Sequence, residues 1–255
     1  MKKLQIIKIG GKVIDDEQQL SSVLRAFAKT EGAKILVHGG GSKATKMETT
    51  LGLKPNMVEG RRITDANALE VVIMVYAGLI NKSIVAGLQG FECNALGLSG
   101  ADGNVIQCEK RPVNPVDYGF VGDVKTVNHA LIASLIEAGL TPVFSAITHD
   151  GKGQLLNTNA DTMASEIAVA MSDQYEVELT FAFEKNGVLD ASGNVIKTIT
   201  EVKFSELQKE KIIIDGMIPK LSNAFYALNK GVKEVKLTSA EHLVNKKSSY
   251  TTVVI

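Results

Sequence analysis

Residues 34–42 read Lys34-Ile35-Leu36-Val37-His38-Gly39-Gly40-Gly41-Ser42. An apolar run of strand length that stops at glycine, followed by the helical spacing of 42–51, is the strand-to-helix junction of a βαβ unit. Residues 4–11, Leu4-Gln5-Ile6-Ile7-Lys8-Ile9-Gly10-Gly11, repeat the pattern. Working outward, further strands are predicted over 94–98, 140–145, 177–181 and 234–237. Helices are predicted over 17–29, 42–51, 65–89, 128–138, 161–172 and 219–229. Near-continuous apolar strands alternating with helices specify a mainly parallel sheet covered on both faces, an α/β open three-layer αβα sandwich. Turn chemistry marks two-stranded excursions at 54–63, 105–124, 148–156 and 188–199, expected at the rim. There is no internal repeat and no linker, so the division expected is two lobes of one continuous sheet, 1–172 and 173–255.

The 255 residues are 45% hydrophobic, enough for a sizeable core, and 28 Lys plus Arg balance 28 Asp plus Glu. A neutral chain has no field to gather nucleic acid or anionic lipid, so neither is an expected partner. Cys93 and Cys108 make neither a disulfide framework nor a metal set, which fits a reduced, cytoplasmic protein. The apolar run 71–80 is about half the ~20 residues of a membrane span and reads as a buried helix.

With 23 Gly against 5 Pro, interest falls on where glycine clusters. Glycine lets backbone N–H groups approach an anion, and a following helix adds unpaired donors and a positive dipole end, so both loops suit phosphate; a plain tight turn is the alternative. No Walker loop occurs, and Gly39–Ala44 fits a dinucleotide fingerprint only loosely, with Glu59 beyond it. Lys8 interrupts a strand apolar on both faces and calls for an anionic partner, unless it snorkels out at the strand end. Asn157, Asn159 and Asp161 exceed what one helix cap needs. In Asp215-Gly216-Met217-Ile218-Pro219-Lys220, proline fits the first helical position and puts Lys220 second, against the dipole, where a docked anion would compensate.

Lys8-x-Gly10-Gly11, His38-Gly39-Gly40-Gly41, Gly60-Arg61-Arg62-Ile63-Thr64, Asn157-x-Asn159-Ala160-Asp161 and Asp215-Gly216-Met217-Ile218-x-Lys220 together resemble the amino acid kinase family, in order from Lys8 onward. Within it they are most similar to the members that phosphorylate an N-acylated glutamate. The resemblance implies ATP-dependent conversion of the side-chain carboxylate of an N-acyl-L-glutamate, N-acetyl-L-glutamate first, to an acyl phosphate in arginine biosynthesis. ATP with substrate-borne Mg²⁺ is the co-substrate, and no resident metal is expected. The N-terminal lobe would bind the acceptor and form a homodimer; the C-terminal lobe would bind MgATP. Carried over by position, Lys8 and Lys220 neutralise the transferring phosphoryl group and Asp161 holds both lysines. Gly10, Gly11, Gly40 and Gly41 offer backbone donors, Arg62 clamps the α-carboxylate, and Asn157 and Asn159 flank the substrate. Gly187 and Gly216 fall on the nucleotide side. Because a carboxylate nucleophile already carries its charge, no general base is required, and His38 is expected to be structural.

Where the family usually reads Leu-Thr-Asp-Val-x-Gly, this chain has Phe181-Ala182-Phe183-Glu184-Lys185-Asn186-Gly187-Val188. That departure leaves a non-catalytic nucleotide- or amino-acid-sensing module as an alternative. N-Succinyl-L-glutamate stays open as acceptor, because its second carboxylate would want a cation such as Lys110 or Arg111. The first strand lies almost at the start, which predicts a plain homodimer without arginine feedback. The helix at 65–89 is the candidate dimer face.

Overall fold

The computed structural model describes residues 1–58, 60–214, 216–245 and 249–255. Its main sheet has eight strands among the described residues, β1 Lys2–Ile9, β2 Ala33–His38, and, by their place in the full strand sequence, β5 Ala95–Leu98, β8 Thr141–Ser145, β11 Tyr175–Phe183, β12 Thr198–Ile199, β13 Glu234–Ser239 and β14 Thr251–Val253. They lie in the order β12-β14-β13-β11-β1-β2-β8-β5, parallel except where β13 meets β14. The strands before residue 172 form one half and those after it the other. β1 is the seam, pairing along its whole length with β11, from Lys2 opposite Tyr175 to Ile9 opposite Ala182.

The predicted rim excursions become β3 Met57–Val58 and β4 Arg61–Arg62, β6 Ile106–Lys110 and β7 Gly122–Val127, β9 Ile147–His149 and β10 Leu155–Asn157. The last four join in a second sheet, β10-β9-β6-β7. The excursion expected at 188–199 is not a regular hairpin. Leu189 and Val195 form a single bridge, and Thr198–Ile199 joins β14 at the main sheet's edge instead.

Helices fill both faces, five of them starting at a polar side-chain cap. α1 Gly11–Asp15, α2 Glu17–Ala28, α3 Gly41–Thr50, α4 Ala66–Val72, α5 Asn81–Gln89 and α10 Ala240–Asn245 cover one side; α6 His129–Glu137, α7 Ala160–Met171, α8 Glu201–Lys209 and α9 Met217–Asn229 cover the other. Asp16 caps α2, accepting from the Gln18 and Gln19 N–H groups at 3.0 and 2.9 Å, and Asp65 caps α4. α8, α10 and β14 were not anticipated. α9 begins at Met217, two residues before Pro219, so Lys220 is the fourth helical residue rather than the second.

Strand parity sets what faces what. On β1, Leu4 and Ile6 enter the core beneath α6–α9, while Ile7 and Ile9 enter the core beneath α1–α5. Lys8 shares the parity of Leu4 and Ile6 and points toward α7 and α9. Val177, Leu179, Phe181 and Phe183 of β11 face the same way.

Ala66–Gln89 runs as one 24-residue helix, long and apolar enough to cross a membrane by composition, further than the sequence run alone suggested. Val71, Val72, Val75, Tyr76, Ile80, Ile84 and Leu88 are nevertheless buried in the protein core. Its middle, Ile73–Ile80, is wound as a π-helix. The wider turn directs Tyr76 and Ile80 at Gly40, where a Cβ would lie 2.3 Å from Ile80 Cδ1 and 2.8 Å from Tyr76 Cδ1.

Candidate active site

Both glycine loops leave the carboxyl ends of adjacent parallel strands. From β1 the chain proceeds to β2 on one side, and β11 returns on the other, which opens a crevice at the strand ends. One cavity occupies it. Lys8, Gly11, Gly40, Gly41, Arg62, Asn157, Asn159 and Asp161, eight residues singled out in the sequence, all line it.

Lys8 does not snorkel. Its ammonium lies 2.7 Å from Asp161 Oδ1, and Lys220 Nζ donates to Asp161 Oδ2 at 2.6 Å, all three side chains being nearly buried. Asn159 caps α7 by accepting from the Thr162 N–H at 2.9 Å, which frees Asp161, two residues on, to hold the lysines. Burial pushes the Asp161 carboxyl up, but the combined pull of Lys8 and Lys220 outweighs it and leaves the carboxyl well below the usual range. Burial lowers the Lys8 ammonium, against the attraction of Asp161 and with the repulsion of Lys220. Two cations share one anion, and the cluster carries one surplus positive charge.

Phe181 and Phe183, whose parity brings them beneath α9, each place a ring centroid 5.7 Å from Lys220 Nζ. The departure from the family pattern at Phe183 thus packs against the lysine. Glu184 turns outward and meets Lys12 at 3.5 Å, both side chains being exposed.

The loops differ in what their amides do. The Gly10 N–H donates to the Ala182 carbonyl at 2.9 Å and closes the seam between β1 and β11, so it does not face the cavity. The N–H groups of Gly11, Gly40 and Gly41 make no hydrogen bond among the described residues and sit at the starts of α1 and α3. His38 is fully buried behind them. Its Nδ1 lies 2.9 Å from the Gly39 carbonyl and must donate, so Nε2 accepts from Asn81 Nδ2 at 3.1 Å. Burial lowers its pKa to about 4, which makes it a neutral brace for the loop.

Arg62 is 6% exposed and fixed from several directions. Nη1 donates to Glu48 in a short contact, and Nη2 donates to Gly41 O at 2.9 Å and Thr45 Oγ1 at 2.7 Å. Its Nε is buried without a partner among the described residues. Asn157 Nδ2 donates to Thr64 Oγ1 at 3.0 Å. Glu48 escaped the sequence reading, although it lies four residues after buried Ala44 on an otherwise polar helix, the spacing of one inward face. Arg61 and Arg111 also line the cavity.

A second cavity, formed by Val188, Leu189, Ile213, Ile214, Met217 and Lys185 among others, adjoins the start of α9, one turn before Lys220. Gly216 caps α9 and is exposed. Gly187 packs against β14, where a Cβ would meet Thr251 Oγ1 at 2.6 Å. Glu59 and Asp215 lie outside the described residues. Among the described residues no group of His, Cys, Asp and Glu is placed to hold a metal ion.

The profile of the amino acid kinase family matches residues 3–239. The chain is 53% identical over 246 residues to acetylglutamate kinase of Parabacteroides distasonis, covering 95% of this chain and 96% of that one. The chain belongs to the amino acid kinase family. The crystal structure of smu.665 from Streptococcus mutans superposes with a TM-score of 0.83 at 26% identity, covering 100% of this chain and 99% of that chain. Carbamate kinase from Giardia lamblia shares the fold, with a TM-score of 0.71 at 14% identity over 99% and 98% of the two chains. The amino acid kinase motifs thus converge on the Lys8–Asp161–Lys220 cluster; Lys220 reaches the cavity through Asp161, and Gly10, Gly187 and Gly216 are not among the residues that line it.

Proposed function

We propose that this chain transfers the γ-phosphoryl group of MgATP to the side-chain carboxylate of an N-acyl-L-glutamate, with N-acetyl-L-glutamate the acceptor indicated by its relatives, in arginine biosynthesis in the cytoplasm. The observation that carries the reading is the pair of buried lysines bridged by Asp161 at the mouths of two glycine loops. In this reading a γ-carboxylate oxygen bonds to the γ-phosphorus as the bond to the ADP oxygen breaks. The products are an acyl phosphate and ADP, and no proton moves. Catalysis then reduces to alignment and charge stabilisation. Lys8 and Lys220 balance the charge spreading over the phosphoryl oxygens, and Gly11, Gly40 and Gly41 present free N–H groups to it. Arg62, held by Glu48, grips the α-carboxylate, and Asn157 and Asn159 flank the acceptor.

Nucleotide placement follows from the second cavity. Its apolar side chains suit a base, and its position one turn from Lys220 directs phosphates toward the lysines. Gly216 and Gly187 then serve by shaping the backbone there. On this reading residues 1–172 bind the acceptor and 173–255 bind ATP. The outward face of the helix Ala66–Gln89 exposes Met74 and Leu79 at 55% and 54%, the surface on which a second copy docks in a homodimer; light scattering of the purified chain gives the mass.

The deciding experiment traps acyl phosphate as a hydroxamate with ATP and Mg²⁺, comparing N-acylated glutamates with free glutamate and aspartate. Product from an N-acylated glutamate alone is the expected result. Silence with every acceptor, from folded protein that binds ATP, would favour the sensing module.

A further inference from the structure

Two arginines in the wall of the cavity, Arg61 and Arg111, have no role in the transfer of phosphate to N-acetylglutamate, a point that rests on the kinase reading above. Among the described residues Lys8, Arg61, Arg62 and Arg111 line it with the carboxylate of Asp161, while Glu48 and Asp123 pair with Arg62 and Arg111. Lys8 belongs to the transfer point and Arg62 to the α-carboxylate. An acetyl group ends in a methyl, so Arg61 and Arg111 have nothing on that acceptor to meet.

Arg111 is held rather than loose. Its backbone N–H donates to Val121 O at 2.8 Å, and its Nε donates to Asp123 Oδ1 and Oδ2 at 3.0 and 3.1 Å. Nη2 also donates to Asp123 Oδ1, and the guanidinium carbon sits 5.4 Å from the Tyr118 ring centroid. Guanidinium has five N–H donors in a flat fork. Asp123 occupies the Nε edge, while Nη1 makes no hydrogen bond among the described residues. A fork fixed along one edge, with its other edge unused in a cavity wall, suits bidentate capture of a carboxylate. The Arg111 side chain is 16% exposed against 38% for Asp123, so the cation is the more enclosed partner. Arg61, on β4 next to Arg62, makes no ion pair among the described residues. Met57 and Val121 contribute apolar wall to the same cavity, the surface that methylene groups would cover.

We propose that the acyl end of this pocket is built for a carboxylate. The preferred acceptor is then an N-acylglutamate whose acyl group is a short dicarboxylic acid, N-succinyl-L-glutamate being the four-carbon case. Arg111 and Arg61 are its specificity-determining residues. The transfer chemistry is unchanged: the glutamate side-chain carboxylate takes the phosphoryl group, ADP leaves, and the acyl carboxylate stays unreacted.

The test measures kcat/KM for N-succinyl-L-glutamate and N-acetyl-L-glutamate with the full chain, ATP and Mg²⁺, and in Arg111→Gln and Arg61→Gln, with circular dichroism to check the fold. The expected wild-type ratio favours the succinyl acceptor by at least ~10-fold, and loss of either arginine lowers it ~10- to 100-fold, the scale of one charge-assisted bidentate contact. A wild-type ratio at or below one, or a ratio unmoved in both variants, overturns the proposal and leaves Arg111–Asp123 as a brace for the hairpin. Calorimetric titration of both acceptors without ATP separates the two readings. Tighter, Arg111-dependent binding of N-succinyl-L-glutamate without turnover of either compound would retain this pocket and remove the kinase; equal binding of the two would overturn the pocket whatever the turnover.

Discussion

Replacing His38 by asparagine removes a buried imidazole that the fold keeps neutral. Burial lowers its pKa from 6.5 to about 4. Because the folded value lies below the unfolded one, the unfolded chain takes up the proton first on acidification. Stability from this group is therefore complete above about pH 6.5 and drains away as pH falls toward about 4. At about 1.36 kcal/mol per unit, the loss between about pH 7.5 and pH 4.5 is about 2.5 kcal/mol. Asparagine does not titrate. Its side-chain amide can still donate to the Gly39 carbonyl, while the contact that Asn81 makes with Nε2 is lost. At neutral pH His38→Asn should be the less stable protein, and its deficit against wild type should shrink by about 2.5 kcal/mol at about pH 4.5. Urea unfolding of both proteins at the two pH values, followed by circular dichroism, reads this directly, since all other titrating groups cancel in the difference. A deficit that is the same at both pH values would refute the neutral, buried histidine.

Lys8→Met and Lys220→Met should each lower kcat by on the order of 10²-fold or more, with smaller changes in acceptor KM, as expected for lost preorganised charge; near-normal turnover in either would remove its role. Asp161→Asn leaves two buried cations without their anion and should cost about 3–5 kcal/mol in denaturant unfolding, along with turnover; a stable, active variant would contradict the bridge. Glu48→Gln and Arg62→Lys should both raise acceptor KM more than they lower kcat, because each disturbs how the guanidinium is aimed, and an unchanged KM would count against the clamp. Gly40→Ala drives a methyl into Tyr76 and Ile80, so about 1–3 kcal/mol of stability should be lost together with acceptor affinity; thermal unfolding with and without acceptor checks both.

Much of the framework was legible because parallel strands buried on both faces are near-continuous apolar runs, and because glycine, proline and cap residues mark the breaks. The six central strands and six main helices fall where those signals place them, with ends displaced by a few residues. The pieces that were missed lack such signals. α8 and α10 are short and half polar, and Thr198–Ile199 is a strand only because β14 lies beside it. For the site, the burial cost of Lys8 pointed to an anion, but choosing Asp161 needed the parity of β1 and the start of α7 in three dimensions. Glu48 and Asn81 act on Arg62 and His38 from other elements, a relation that linear order does not record. The sequence marks Phe183 as unusual, yet only the strand's facing shows that it packs against Lys220.

The seam between β1 and β11 has a consequence for how the protein is made. Lys8 sits on an eight-residue strand whose partner lies some 170 positions later, and the intervening chain must be synthesised before that edge is covered. Until Tyr175–Phe183 emerges from the ribosome, β1 presents an apolar edge capable of pairing with any other extended chain. The first 172 residues are thus expected not to fold without the rest of the chain. Expressed alone they should aggregate, and the complete chain should fold late and cooperatively, acquiring the Lys8–Asp161–Lys220 cluster and its last sheet contacts in the same event.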